Sequence, residues 1–238
     1  MKTRLCLALV SLSWMILQGC AVQEAGNRSK QAVAAERMIG VSEGRLAPVY
    51  GPLADQIVRE YGLVEKEGVG IDLGSGPGTL IVELCERTEK MHWIDADINP
   101  HFFPYFLDRA EQNGFGGRVS AIVADSQDLP FKSEYADIIV SRGSYHFWKD
   151  KVKAFGEIYR VLKPRGVAFI GRGFAEDFPI ELAKKVRSGN PMNYDKKEKA
   201  EELRGVMEKL GIEDYEIRIP QTGKAVGLNY GIWIEIRK

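Results

Sequence analysis

Between Val69 and Ile170 the chain alternates two apolar patterns. Short unbroken apolar runs are followed by longer stretches in which apolar residues recur three and four apart, the spacings of a strand and of one helix face. The runs predict strands over Val69–Leu73, Met91–Ala96, Val119–Ala124, Ala136–Ser141 and Val167–Ile170. The periodic stretches predict helices over Pro77–Arg87, where Leu80, Ile81 and Leu84 share a face, over Pro100–Asn113 and over Lys151–Leu162. Asn99 has the short polar side chain of an N-cap, Pro100 suits a first helical position, and Gly114, Gly116 and Gly117 close that helix. Such alternation builds βαβ units and a parallel sheet. The last third departs from it. Phe178–Arg187 and Lys196–Leu210 read as helices, and Tyr215–Ile219 and Ile232–Ile236 as two strands joined by a Gly-rich connection, an antiparallel addition to the sheet.

The composition narrows the classes of function. A length of 238 residues suits one domain with some extra chain. Apolar residues at 45% and charged residues at 28% give a packed core rather than disorder. Lys plus Arg and Asp plus Glu both number 33, so the basic surplus of a dedicated nucleic-acid binder is missing and no nucleic-acid partner is expected. Of the three cysteines, Cys6 and Cys20 fall in the first twenty residues. Cys85 stands alone in the body, within an apolar helical pattern, and reads as a small buried hydrophobe. No Cys/His spacing points to zinc, and no metal site is expected.

The strongest chemical signal is Ile71-Asp72-Leu73-Gly74-Ser75-Gly76-Pro77-Gly78. An apolar strand runs straight into three glycines and then a helix. Glycines let the backbone approach a ligand with no Cβ in the way, and the helix offers free N–H groups in its first turn. The spacing is G-x-G-x-G, not the G-x-G-x-x-G of a dinucleotide site. A carboxylate two residues before the first glycine suits a cationic ligand better than a pyrophosphate.

Asp72 to Gly78 resembles the first motif of the class I S-adenosylmethionine (SAM) dependent methyltransferases. The resemblance implies that Asp72, Gly74, Ser75, Gly76 and Gly78 surround the methionine part of SAM. It implies that Asp97, directly before Ile98-Asn99-Pro100, accepts the ribose hydroxyls, with Asp95 as the alternative. Asp125, in Ala124-Asp125-Ser126, matches the position that bonds the adenine amino group. Ile98, Ser126 and Ser141 complete the cofactor-binding set. Asp128-Leu129-Pro130-Phe131, Tyr135 to Ser141 and Glu157 to Gly166 continue the likeness, which covers about Tyr50 to Gly173. The usual glycine pair after Lys163-Pro164 is here Arg165-Gly166. The fold implied is α/β, a doubly wound Rossmann-like and mostly parallel seven-stranded sheet with an antiparallel C-terminal strand.

Ligands of open α/β sheets bind beyond the carboxyl ends of the strands. Ser141-Arg142-Gly143-Ser144-Tyr145-His146-Phe147-Trp148 follows the fourth strand, and Gly171-Arg172-Gly173-Phe174 follows the fifth. Arg142 and Arg172 are candidate catalytic-site residues, because paired guanidinium groups suit a carboxylate or phosphate. A small anionic acceptor is therefore expected. Structural ion pairs with Asp or Glu are the competing reading of both arginines. His146 is a candidate general base, or else a loop-orienting histidine. Tyr145, Phe147 and Trp148 wall the pocket or pack. Tyr50 is a candidate lid from one side, and Asn229, Tyr230 and Trp233 from the other. Two alternatives stay open: a tethered SAM-binding module without turnover, and an NAD-dependent oxidoreductase, which the glycine spacing disfavours.

The N-terminus carries a separate signal. Lys2 and Arg4 precede an uncharged apolar run from Leu5 to Leu17, of the size of a signal-peptide core. Leu17-Gln18-Gly19-Cys20 resembles a lipobox, which implies acyl chains on Cys20 and a membrane anchor. Translation from Met38 is the alternative, and would leave a cytoplasmic enzyme beside its cytosolic cosubstrate. The expected division is 1–20 as leader, 21–37 as polar tether or weak helix, and 38–238 as the methyltransferase domain.

Overall fold

A computed structural model describes residues 30–188, 194–220 and 228–238. The leader and Cys20 lie outside the described residues. Residues 30–43 form a helix, α1, with Ala35 buried, so Met38 falls inside a continuous helix. There follow α2 (Ala47–Glu60), β1 (Gly68–Leu73), α3 (Thr79–Arg87), β2 (Met91–Asp97), α4 (Phe103–Gln112) and β3 (Val119–Val123). Then come β4 (Ala136–Arg142), α5 (Lys151–Val161), β5 (Leu162–Gly173), α6 (Ile180–Ser188), α7 (Lys196–Leu210), β6 (Tyr215–Arg218) and β7 (Gly231–Arg237).

The seven strands form one sheet in the order β3-β2-β1-β4-β5-β7-β6. Strands β1 to β5 pair in parallel, and β7 runs antiparallel to both β5 and β6. This is the expected doubly wound sheet with one reversed C-terminal strand. A sheet covered on both faces needs strands that are apolar throughout. Ile71, Leu73, Ile138, Ile139, Ala168, Phe169 and Ile170 are accordingly buried. On one face, Phe155 and Ile158 of α5 and Leu203 and Met207 of α7 pack over Ile139 and Ile170. On the other, Leu53 and Ile57 of α2, Leu80 and Leu84 of α3 and Phe106 of α4 pack over Trp93, Ile138 and Phe169. Cys85 is buried in this second layer, and burial pushes its thiol up to about 12.

Most boundaries shift by a residue or two from expectation, and three of the differences have a clear cause. Pro77 and Gly78 stay in the loop and α3 begins at Thr79, because Gly78 takes a left-handed φ of 66°. Asn99 does cap, its side chain accepting from His101 N, but it caps a single 3-10 turn, Pro100–Phe102, that leads into α4. Strand β5 begins at Leu162 and runs to Gly173, since β4 and β7 both supply pairing beyond the apolar run. Within it Arg165 takes φ 67°, a conformation costly for a side chain and natural for the glycine usual there.

Candidate active site

Strands β1 and β4 are neighbours, while the chain passes from β1 to β2 on one side and from β4 to β5 on the other. That reversal opens a crevice at the strand ends. A cleft of about 530 Å³ lies there, lined by the glycine loop, the end of β2, the Asp125 turn, the Arg142–Lys149 loop and α1.

Gly74, Ser75 and Gly76 all face the cleft. Gly74 has φ 68°, and a Cβ there would lie 2.4 Å from Ser144 Cβ. Gly78 plays another part: its missing Cβ makes room for Phe106, whose ring would be 2.1 Å away, so it seats α4 rather than a ligand. Ser141 is buried and does not line the cleft. Its hydroxyl donates to Leu73 O at 2.6 Å and meets Ser144 Oγ at 2.6 Å, which ties the β4 loop to the end of β1.

Three carboxyl groups stand behind the glycine loop. Asp97 lines the cleft, its Oδ2 accepting from Gly76 N at 2.9 Å and its Oδ1 from Asn99 N at 2.8 Å. Asp95 and Asp72 are register partners on β2 and β1, set behind it and buried. Ser75 Oγ donates to Asp95 Oδ1, while Asp95 Oδ2 and Asp72 Oδ1 have no hydrogen-bond partner among the described residues. Burial pushes the Asp72 carboxyl up to about 8, and the Asp97 charge adds to it. Burial likewise pushes Asp95 up to about 8, against the Ser75 hydrogen bond. Orphaned carboxylate oxygens beside a Cβ-free loop fit a ligand that is itself cationic, as SAM is through its sulfonium and ammonium groups.

These shifts set a pH dependence. A carboxyl that titrates higher folded than unfolded stabilises the fold only while protonated. That contribution is complete below the ordinary value of 3.8 and is lost as pH rises through about 8. The free protein should therefore lose melting temperature as pH rises from about 6 to about 8 and level off above that. Asp72→Asn should flatten that loss by on the order of 2 kcal/mol, measured by thermal unfolding across the range. An unchanged slope would contradict the assignment.

Another wall of the cleft is built by the turn after β3. Asp125 and Ser126 line the cleft. Asp125 Oδ1 accepts from Gln127 N at 2.9 Å and Gln127 Nε2 at 3.1 Å, which hold its carboxyl below the usual range. Gln127 Oε1 also accepts from Asp150 N at 2.9 Å, joining this turn to α5. Ile98 is 60% exposed on the cleft wall, an apolar surface that a flat ring would cover.

At the other end the cleft is cationic. Arg142 and Arg172 both line it. The Arg142 guanidinium sits 5.3 Å over the Tyr50 ring, and its Nε has no hydrogen-bond partner among the described residues. Among the described residues neither arginine pairs with a carboxylate, which removes the structural ion-pair reading there. Arg172 Nη1 lies 3.4 Å from His146 Nε2. A guanidinium only donates, so Nε2 accepts and the ring proton is on Nδ1. Burial, then the Arg172 charge, brings His146 down to about 4. The imidazole is thus neutral but a weak base.

The aromatic residues divide. Tyr50 and Phe147 line the cleft, with Phe147 73% exposed at its mouth. Trp148 lines it while packing edge-on against Phe155, and Tyr145 is buried in the core. The expected lid of Asn229, Tyr230 and Trp233 is corrected. Tyr230 donates to Phe178 O and Trp233 stacks on Phe169, so both serve the core. Met38, Arg45, Gln127 and Ser144 line the cleft without having been singled out by motif.

Comparison with known proteins agrees with this geometry. A family model described as a methyltransferase domain matches residues 71–170. A crystal structure from Methanococcus maripaludis, assigned as an S-adenosyl-L-methionine-dependent methyltransferase, is 30% identical with a TM-score of 0.76. The likeness covers 87% of this chain and 93% of that one. The chain is 37% identical over 97 residues to the ubiquinone/menaquinone biosynthesis C-methyltransferase UbiE of Vibrio vulnificus. It is 33% identical over 98 residues to the chloroplastic 2-methyl-6-phytyl-1,4-hydroquinone methyltransferase of Arabidopsis thaliana. The matched part is 40% of this chain and only 37% of the Vibrio protein, well under half of each.

Proposed function

The chain belongs to the S-adenosylmethionine-dependent methyltransferases, and we propose that it delivers the methyl group to a small anionic molecule held by Arg142 and Arg172. SAM supplies a methyl group already bonded to a good leaving group, so the protein's work is alignment and exclusion of water. Gly74 and Gly76 leave room for the methionine chain, Asp97 offers acceptors to the ribose, Ile98 a surface and Asp125 a carboxylate to the adenine. The carboxyls of Asp72 and Asp95 lie behind the cationic part of the cofactor.

One observation carries the acceptor assignment: two guanidinium groups line the cleft without a carboxylate partner among the described residues. A guanidinium recognises a carboxylate or phosphate through parallel N–H···O bonds. His146 is neutral and oriented by Arg172, and its Nδ1 is buried without a partner among the described residues. Its weak basicity favours an acceptor atom that is nucleophilic without losing a proton to it.

The test is transfer of labelled methyl from SAM into the small molecules of a cell extract, separated by charge. Label is expected in anionic products. Arg142→Gln should lower transfer about 100-fold, as loss of a charge-assisted pair does, while S-adenosylhomocysteine affinity stays within about threefold of wild type. Label confined to neutral or cationic products would refute the anionic acceptor.

A further inference from the structure

Two more arginines lie near Arg142 and Arg172, Arg45 lining the cleft and Arg187 outside its lining. Arg45, in the turn between α1 and α2, lines the cleft and donates to Val186 O at 3.0 Å. Arg187, on α6, donates from Nε to Asn229 O at 3.0 Å and lies 4.2 Å over the Phe174 ring. It is 9% exposed, and its Nη2, like Arg142 Nε, is buried with no hydrogen-bond partner among the described residues. Each group feels the others. Burial, then the Arg142 charge, lowers Arg187 to about 10, with Arg172 and Arg45 adding to it. Arg142 is lowered by burial and by Arg172 and Arg45 as well.

Three other half-buried arginines are matched with carboxylates, while Arg109 donates to Thr79 Oγ1 and Arg118 to the carbonyls of Thr88 and Cys85. Arg218 meets Glu60 and Glu235, Arg160 meets Glu157, and Arg87 meets Asp55 and Glu83. The four-arginine cluster has none among the described residues. Residues 189–193 and 221–227, which flank α6 and precede β7, contain neither Asp nor Glu. Negative charge brought by a ligand would match the cluster. A monoanionic acceptor matches only one of these guanidinium groups, and a dianion matches two.

We infer that the acceptor is a dianion, a phosphate monoester or a dicarboxylate, and that Arg45 and Arg187 belong with Arg142 and Arg172 to the chamber that selects it. This rests on the anionic-acceptor reading above and sharpens it. Arg187 acts as a specificity residue: buried and fixed by Asn229 O, it adds attraction for a second charge.

The experiment is calorimetric titration of the full chain, loaded with S-adenosylhomocysteine, at fixed ionic strength and at a pH where phosphate is doubly charged. The probes are inorganic phosphate, succinate and butyrate. One of the dianions should bind saturably and at least about tenfold more tightly than butyrate. Phosphate ahead of succinate supports the phosphate ester, and the reverse order the dicarboxylate. Arg187→Gln should bring the dianion to the level of butyrate, and Arg187→Lys should keep part of the preference. Butyrate binding as tightly as both dianions would overturn the dianion inference and leave the anionic acceptor standing. Failure of all three probes on protein that binds S-adenosylhomocysteine would overturn both. An Arg187→Gln protein that folds and keeps the full preference would remove Arg187 from the chamber.

Discussion

Asp97→Ala should weaken S-adenosylhomocysteine binding by about 100-fold or more, that is, roughly 3 kcal/mol. Asp97 is 7% exposed and both of its oxygens already work. Oδ2 holds Gly76 N at 2.9 Å and Oδ1 holds Asn99 N at 2.8 Å, so the side chain ties the glycine loop to the turn after β2. Each oxygen keeps a lone pair for a ribose hydroxyl. Alanine therefore removes the ribose acceptors and frees the loop that frames the methionine chain. Asp97→Asn should also bind poorly, because an amide NH₂ would face a backbone N–H. Calorimetry on protein shown to be folded by its thermal transition measures both. Binding within about threefold of wild type would mean that the ribose lies elsewhere.

The largest stability loss is expected at Glu235→Ala, on the order of 3 kcal/mol, as for one partner removed from a buried ion pair. Glu235 is 1% exposed in the middle of β7. It accepts from Tyr61 OH at 2.8 Å and Arg237 Nε at 2.6 Å, and from Arg218 Nη2. Without it the buried Tyr61 hydroxyl loses its acceptor, and Arg218 keeps Glu60 as its nearest carboxylate. Burial first, and then the Glu235 charge, holds the Tyr61 hydroxyl far above its usual titration range. Glu235→Gln should cost less, since the amide oxygen still accepts. Urea unfolding measures the difference. A loss below about 1 kcal/mol for the alanine variant would show that the network is stabilised from elsewhere.

The parts of the fold legible in the sequence were those with a local physical cause. Parallel strands buried on both faces need unbroken apolar runs, so Ile71–Leu73, Ile138–Val140 and Ala168–Ile170 announce themselves. The glycine loop and Asp97 could be placed at the cleft because each lies in a contiguous motif at a strand end. Gly78 and Ser141 belong to the same motifs, yet their work is to seat Phe106 and to bind Leu73 O, which only packing reveals. The length of β5 depended on β7, more than fifty residues away in sequence. Arg142 and Arg172 could be named from their places after strands, but whether carboxylates matched them was a tertiary question. Arg45 sits in a turn and Arg187 on a helix, without motif or periodicity to mark them. Their convergence with strand-end residues had no local signal at all.

The most direct single measurement is a crystal structure of the full chain with S-adenosylhomocysteine. The expected density places the ribose hydroxyls on Asp97, the adenine over Ile98 with its amino group toward Asp125, and the amino-acid chain along Gly74 to Gly76. The sulfur should then face the chamber of Arg142 and Arg172. A ribose away from Asp97, or a sulfur turned from the arginines, would contradict delivery of the methyl group to an anion held there.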